Sequence, residues 1–245
     1  MRAGRLKGGS LACGLVVLGW AWIGPLPELS RHSFAAHMAM HMSVVAVVAP
    51  LVAFGIAGSR LDPVRRLSSQ AIPPAVTLPG VLPSVALSSA ARSTMLLPTV
   101  LSPLAASVVE FLVVWAWHAP ALHHAARHST GLLVVEQASF LVVGLLVWLA
   151  AFGGRVDQRR ERAAAGIGGL LLTSMHMTLL GVLLALATRP LYPHAGQVAF
   201  GLTPLQDQHL GGVLMLTFGG VAYMAGALLL LAGLLRDRRE LVAHD

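Results

Sequence analysis

The residues best equipped for chemistry form one short run: His37, Met38, His41 and Met42, spaced His-Met-x-x-His-Met. Imidazole nitrogen and thioether sulfur are neutral, polarizable donors. Together they suit a soft monovalent cation, and Cu(I) fits them best. On a helix, residues four apart share a face, so His37 and His41 stack. Met38 and Met42 then lie about 100° further round, at 3.6 residues per turn. The four make one patch in the first turns of a helix, and Met40 falls off it as a lipid-facing or packing residue. A plainer reading stands beside this one. A His pair near a helix end also serves as hydrogen-bonding glue between helices, and Met is common filler in apolar cores.

The elements that must hold this patch follow from composition. Of 245 residues, 56% are apolar and 11% charged, against about 25% charged in soluble domains. Mean hydropathy is +0.74. The chain therefore reads as all-α: a polytopic transmembrane helix bundle forming one integral membrane domain over residues 1–245 in the lipid bilayer. Apolar runs predict about six spans, at residues 10–26, 34–56, 98–118, 130–152, 163–188 and 209–235. Each is near the ~20 residues that cross ~30 Å of hydrocarbon, where only helices satisfy an open chain's backbone. Residues 59–97 hold Pro63, Pro73, Pro74, Pro79 and Pro83. That density argues against a straight span, so the stretch reads as a cytoplasmic or interfacial, partly re-entrant connection.

The net charge of +7 does not point to nucleic acid, because the arginines cluster between apolar runs. With the N-terminus inside, the inner segments hold fourteen basic residues and the outer ones only Arg31, Arg127 and Arg189. This positive-inside bias predicts that both termini are cytoplasmic. Cys13 is the only cysteine, which excludes an internal disulfide and a thiolate cluster. The first apolar run is expected to be an uncleaved anchor.

That orientation puts nine of eleven histidines toward the outer face. His37 and His41 lie at the mouth of span two, His118 at the end of span three, and His209 at the start of span six. His32, His123, His124, His128 and His194 are expected in solvated segments. Glu110 falls about 12 Å below His118 and Glu136 about 9 Å into span four, at 1.5 Å per residue. A lone ionisable group in lipid costs ~2–3 kcal/mol or more, so both should face the bundle interior. Glu110 is either neutral or bonded to a neighbouring helix, or it belongs to a polar shaft floored by Met175, His176 and Met177. Asp207, with Gln208 beside it, is expected to cap the N-terminus of span six. Gly211, Gly212, Gly219 and Gly220 permit close helix contact. The candidate metal ligands are His37, Met38, His41, Met42, His118, His176 and His209, with Glu136 and Glu110 as polar support.

The run from Phe34 to Met42, followed by Ala49-Pro50-Leu51 and Gly55, resembles the HM-x-x-HM signature of the CtaG-type cytochrome c oxidase assembly proteins, the polytopic bacterial family. Gly24-Pro25-Leu26 is similar to that family's lead-in to the same helix. Trp117-His118-Ala119-Pro120 is similar to its Trp-His-x-Pro. Asp207-Gln208-His209-Leu-Gly211-Gly212-Val-Leu-Met215 looks like its Asp-Gln-x-x-Gly-Gly-x-x-Met. These blocks run in order along nearly the whole chain. The resemblance implies a multi-pass protein of the bacterial plasma membrane that helps mature haem-copper oxidases by supplying copper to the catalytic subunit. It carries over His37, Met38, His41, Met42, His118, Glu136, Asp207, Gln208 and Met215. There are departures. The family's His-x-x-Glu-His at the start of span four reads Leu133-Val-Val-Glu136-Gln137 here, and Leu216 replaces a tryptophan. His128 is a candidate substitute, one turn away.

The leading expectation is a non-enzymatic assembly factor and metal chaperone. It takes Cu(I) from a periplasmic or extracellular donor and passes it to an oxidase subunit by ligand exchange. The alternatives are a bis-His membrane cytochrome and a metal permease. The first is weakened because His37 and His41 leave the same helix. The second lacks polar residues in the inner halves of spans two, four and six. No His-Glu-x-x-His is present, which argues against an intramembrane metalloprotease.

Overall fold

The computed structural model describes residues 2–70, 102–154, 159–192 and 201–242. Within them the chain is helical, with no strand. Five helices are long and apolar enough to cross a membrane, and a bent pair counts as a sixth. Most of the proline-rich connection, the first residues of span three, His194 and His244 lie outside the described residues.

Helix α1 (Arg2–Ile23) starts earlier than its apolar run. Lys7 in this extension reaches across to span two: its Nζ donates to Ala57 O at 2.6 Å. Gly24 and Pro25 end α1. The short α2 (Leu26–His32) follows, and Ser33 caps α3 (Phe34–Met42). Span two then widens into a π-helical stretch, Ser43–Val48, before α4 (Ala49–Ile56). Pro50 has no N–H to offer and its ring crowds the carbonyl four residues back, and a local π turn absorbs such a mismatch. The amphipathic α5 (Pro63–Gln70) closes this half.

Within the span three expected over 98–118, the described residues form α6 (Pro103–Trp117), capped at His118. The chain then bends by 71° into α7 (Pro120–His128), where a loop was expected. The cause is Pro120, which drives Ala119 into extended geometry (ψ 131) because its ring clashes with a helical predecessor. The histidines expected in a solvated loop therefore sit on a helix. Then come α8 (Thr130–Phe152), α9 (Arg159–Ala185) and α10 (Pro204–Leu214), a second π-helical stretch at Met215–Gly219, and α11 (Gly220–Val242).

Helix α10 is capped by Thr203 and Gln206 in a reciprocal capping box, so span six begins ahead of His209. Its glycines act as expected. A Cβ on Gly212 would lie 2.5 Å from Ala185 N, and one on Gly181 would lie 2.7 Å from Leu216 N. Helices α9 and α10 thus touch backbone to backbone. At the opposite end of the bundle, buried Asp62 accepts from the backbone N–H groups of Gly58, Val64 and Gly154. It ties the turn before α5 to the end of α8.

Candidate metal centre

Three helices and a bend converge at one end of the bundle. Helix α3 brings His37, Met38 and His41, and α8 brings Glu136 and Gln137. The α6–α7 corner brings His118, and α7 brings His123. All seven are buried, with His37, Met38 and Glu136 at 0% exposure.

The tightest group is His37, His41 and Glu136, whose ligand atoms lie within 4.8 Å of one another. His37 Nε2 stands 3.3 Å from Glu136 Oε1 and 3.2 Å from Oε2. His41 Nε2 stands 3.5 Å from Oε1. The two imidazoles meet edge to face with centroids 4.2 Å apart, as spacing i, i+4 dictates.

His118 adds a more specific feature. Its Nδ1 lies 2.6 Å from Val114 O. A carbonyl can only accept, so Nδ1 carries the hydrogen, and in the neutral ring Nε2 is a bare lone pair. That lone pair faces Met38 Sδ at 3.4 Å, and a thioether is itself a weak acceptor. Two acceptors facing each other in a dry site are satisfied by a cation between them. Tyr192 steadies this corner. Its hydroxyl donates to His118 O at 2.6 Å, and burial pushes its ionisation well above the usual phenol range, so it stays a donor.

The group also carries unpartnered atoms. His37 Nδ1, His41 Nε2, Glu136 Oε2 and both ring nitrogens of His123 are buried without a hydrogen-bond partner. Each such atom costs about 1–3 kcal/mol, a cost that a bound cation would relieve for those that face it. Gln137 Nε2 lies 2.7 Å from His41 Nδ1. Turned over, the same amide would accept from Nδ1–H through Oε1 and leave His41 Nε2 its lone pair.

Asp207 does not cap its own helix. Its carboxylate accepts from Phe34 N at 2.6 Å, Ala35 N at 3.1 Å and Ser33 Oγ at 2.6 Å. Pro204 starts α10, so Asp207 already sits a turn inside it, while the free N–H groups of α3 lie opposite. Gln208 accepts from Leu191 N at 2.6 Å and donates to Leu184 O. His209 Nε2 donates to Ala187 O at 2.8 Å, away from the cage. Met42 and Met215 are buried in the main apolar core; Met42 precedes one π-helical stretch and Met215 opens the other. Met40 packs with Ala21, Leu26 and Leu133, so it is a packing residue and does not face lipid.

The deeper polar residues form no shaft with the cage. Glu110 accepts from the Tyr223 hydroxyl on α11, which is the neighbouring-helix bond anticipated for it. His176 is buried with its ring edge-on to Phe111 at 5.4 Å, outside the cage. Met177 is buried but Met175 is 62% exposed, so the triplet divides between core and lipid.

His123 is the residue that sequence reasoning missed. It was expected in solvent, yet it is buried against His37 with ring centroids 4.6 Å apart. The signal was helical spacing: His124 and His128, four apart, share the exposed face of α7, which leaves His123 on the other.

Residues 7–237 match the family of cytochrome c oxidase caa3 assembly factors (Caa3_CtaG). The chain belongs to that family. No curated protein and no solved structure matches it. In this caa3 assembly factor the His-x-x-Glu-His departure has a structural counterpart. Gln137 engages His41 where a histidine would stand, and Leu133 is buried in the apolar cluster of Ala21, Leu26 and Met40. His128 is exposed beside His124, and His123 is the additional imidazole against the cage.

Proposed function

We propose that this caa3 assembly factor holds Cu(I) as cargo at His37, His41, His118 and Met38, and releases it to the copper-bearing catalytic subunit of a haem-copper oxidase. The observation that carries the reading is the bare Nε2 of His118 facing Met38 Sδ at 3.4 Å, beside two imidazoles with unpartnered nitrogens. Soft neutral donors hold Cu(I) and exchange readily. Glu136 supplies the negative charge that balances the cation in a dry site. The arginine bias puts the cage on the outer side of the membrane, within reach of an extracytoplasmic copper donor. The protein carries no reaction of its own in this scheme.

Glu136 also favours a second reading. Two imidazoles and one carboxylate suit Zn(II) or Fe(II), and only the thioether argues for copper. The deciding experiment is metal analysis together with an absorption spectrum of the protein purified in mild detergent under reducing conditions. About one copper per chain is expected, lost in the double variant His37→Ala/His41→Ala. Zinc or iron in its place would overturn the copper assignment, and a Soret band would point to a cytochrome. In cells, deleting the protein should lower oxidase activity, and supplying the double variant should not restore it.

A further inference from the structure

The end of the bundle opposite the histidines carries a cavity of about 450 Å³. Three arginines line it: Arg160 and Arg162 from α9 and Arg236 from α11. Its remaining walls are mostly apolar, with Phe54, Phe152 and Leu229 prominent. Arg162 is fixed in place, donating from Nη2 to Ala150 O at 2.9 Å. Arg160 and Arg236 are exposed at the rim.

Phe54, Phe152 and Leu229 also line a second space, of about 630 Å³. The two therefore adjoin along these side chains. The second space is an apolar groove, bounded by Leu6 on α1, Val47 and Leu51 along span two, and Trp148 on α8. From Phe54 to Val47 it runs roughly 10 Å along the helix axis, at 1.5 Å rise per residue. It contains no charged side chain.

Arginines at one end and an uncharged, mostly apolar trough at the other match the two halves of an amphiphile. We infer that this caa3 assembly factor has a specific site for an anionic phospholipid, with the headgroup phosphate among Arg160, Arg162 and Arg236 and one acyl chain along the groove between α1 and α11. Guanidinium forks match phosphate oxygens, and basic pockets between helices at the cytoplasmic face take anionic headgroups. The positive-inside rule puts these arginines at that face. A zwitterionic lipid offers the same tail but adds a cation beside three arginines, so the headgroup is what the pocket selects. The inference is independent of the metal reading, since it uses neither the cage nor its residues.

The test is native mass spectrometry and thermal unfolding of the full chain in detergent, titrated with phosphatidylglycerol, phosphatidylcholine or inorganic phosphate. One phosphatidylglycerol should be retained per chain, at least about tenfold more tightly than phosphatidylcholine, and it should raise the unfolding temperature. Arg160→Gln/Arg236→Gln should remove that preference. Leu229→Trp, which fills the groove without touching charge, should weaken retention of both lipids. Both variants should unfold at the wild-type temperature in lipid-free detergent, which separates lost binding from lost folding. Equal retention of the two lipids by the wild type would overturn the site, as would undiminished preference in the double arginine variant. Stabilisation by inorganic phosphate equal to that by phosphatidylglycerol would overturn the acyl groove.

Discussion

The Asp207 carboxylate accepts the Phe34 backbone N–H at 2.6 Å, so the last long helical unit of the chain fixes the start of the helix bearing His37 and His41. The two residues are 173 apart in sequence. A helix start leaves N–H groups without intrahelical partners, and here a distant carboxylate and the local Ser33 hydroxyl satisfy them together. The result fixes the rotation of α3 about its axis, and with it the direction in which the imidazoles point.

Asp207→Ala should therefore destabilise the protein and disturb the cage at once. Hydrogen bonds to a charged acceptor contribute about 1.5–3 kcal/mol each, and buried donors left bare add a penalty. We expect a loss of about 2–4 kcal/mol in reversible unfolding in detergent, and a milder loss for Asp207→Asn, which keeps an acceptor oxygen. Copper occupancy should fall in both. A variant as stable as the wild type would show that Ser33 alone caps α3.

Met38→Leu tests the thioether separately from the packing. The exchange nearly conserves volume, so it should cost less than about 1.5 kcal/mol in stability. It removes the sulfur facing His118 Nε2 at 3.4 Å. A competition titration against a Cu(I) chelator should show at least about tenfold weaker binding, while Zn(II) binding changes little because that ion depends less on sulfur. Unchanged Cu(I) affinity would remove Met38 from the ligand set.

Glu136→Gln keeps the shape of the side chain and deletes its charge. Groups that orient imidazole ligands typically change metal affinity by 10–100-fold, so Cu(I) affinity should drop by about that range. Protons compete with metal for imidazole nitrogen, so affinity in the wild type should fall as pH falls. The slope should be shallower in the variant, because the carboxylate that stabilises a protonated imidazole as well as the metal is gone. A titration series at several pH values reads both effects.

The bundle was legible in the sequence because lipid imposes a simple rule, long apolar runs with arginine clusters between them, and five of the expected spans correspond to long helices. The helix that follows span three in place of a loop was not foreseen, for a local reason. Pro120 falls just after an apolar run, and hydropathy averages do not register where a proline turns the chain. Of the site, His37, His41 and Glu136 were legible from i, i+4 spacing and from matched depth. His123 and the role of Asp207 were not, because each depends on which helix lies opposite. Asp207 in a first turn looks like a cap for its own helix, and only tertiary packing shows that α3 is the one it caps.

Tyr223→Phe separates the deep polar pair from the cage. Tyr223 donates to Glu110 and stacks on Trp148 with ring centroids 5.2 Å apart. Phenylalanine keeps the stacking and removes the donor. The variant thus removes one hydrogen bond from a buried carboxyl group, at a cost of about 1–3 kcal/mol. If the pair is purely structural, copper occupancy stays at the wild-type level. Adding Glu110→Leu to Tyr223→Phe should then cost less than the sum of the single changes, by a coupling of about 0.5–3 kcal/mol, because the second change removes the acceptor whose donor the first took away. Loss of copper in Tyr223→Phe would mean that the buried carboxyl group acts on the cage from below, and strictly additive costs would mean that the two side chains do not interact.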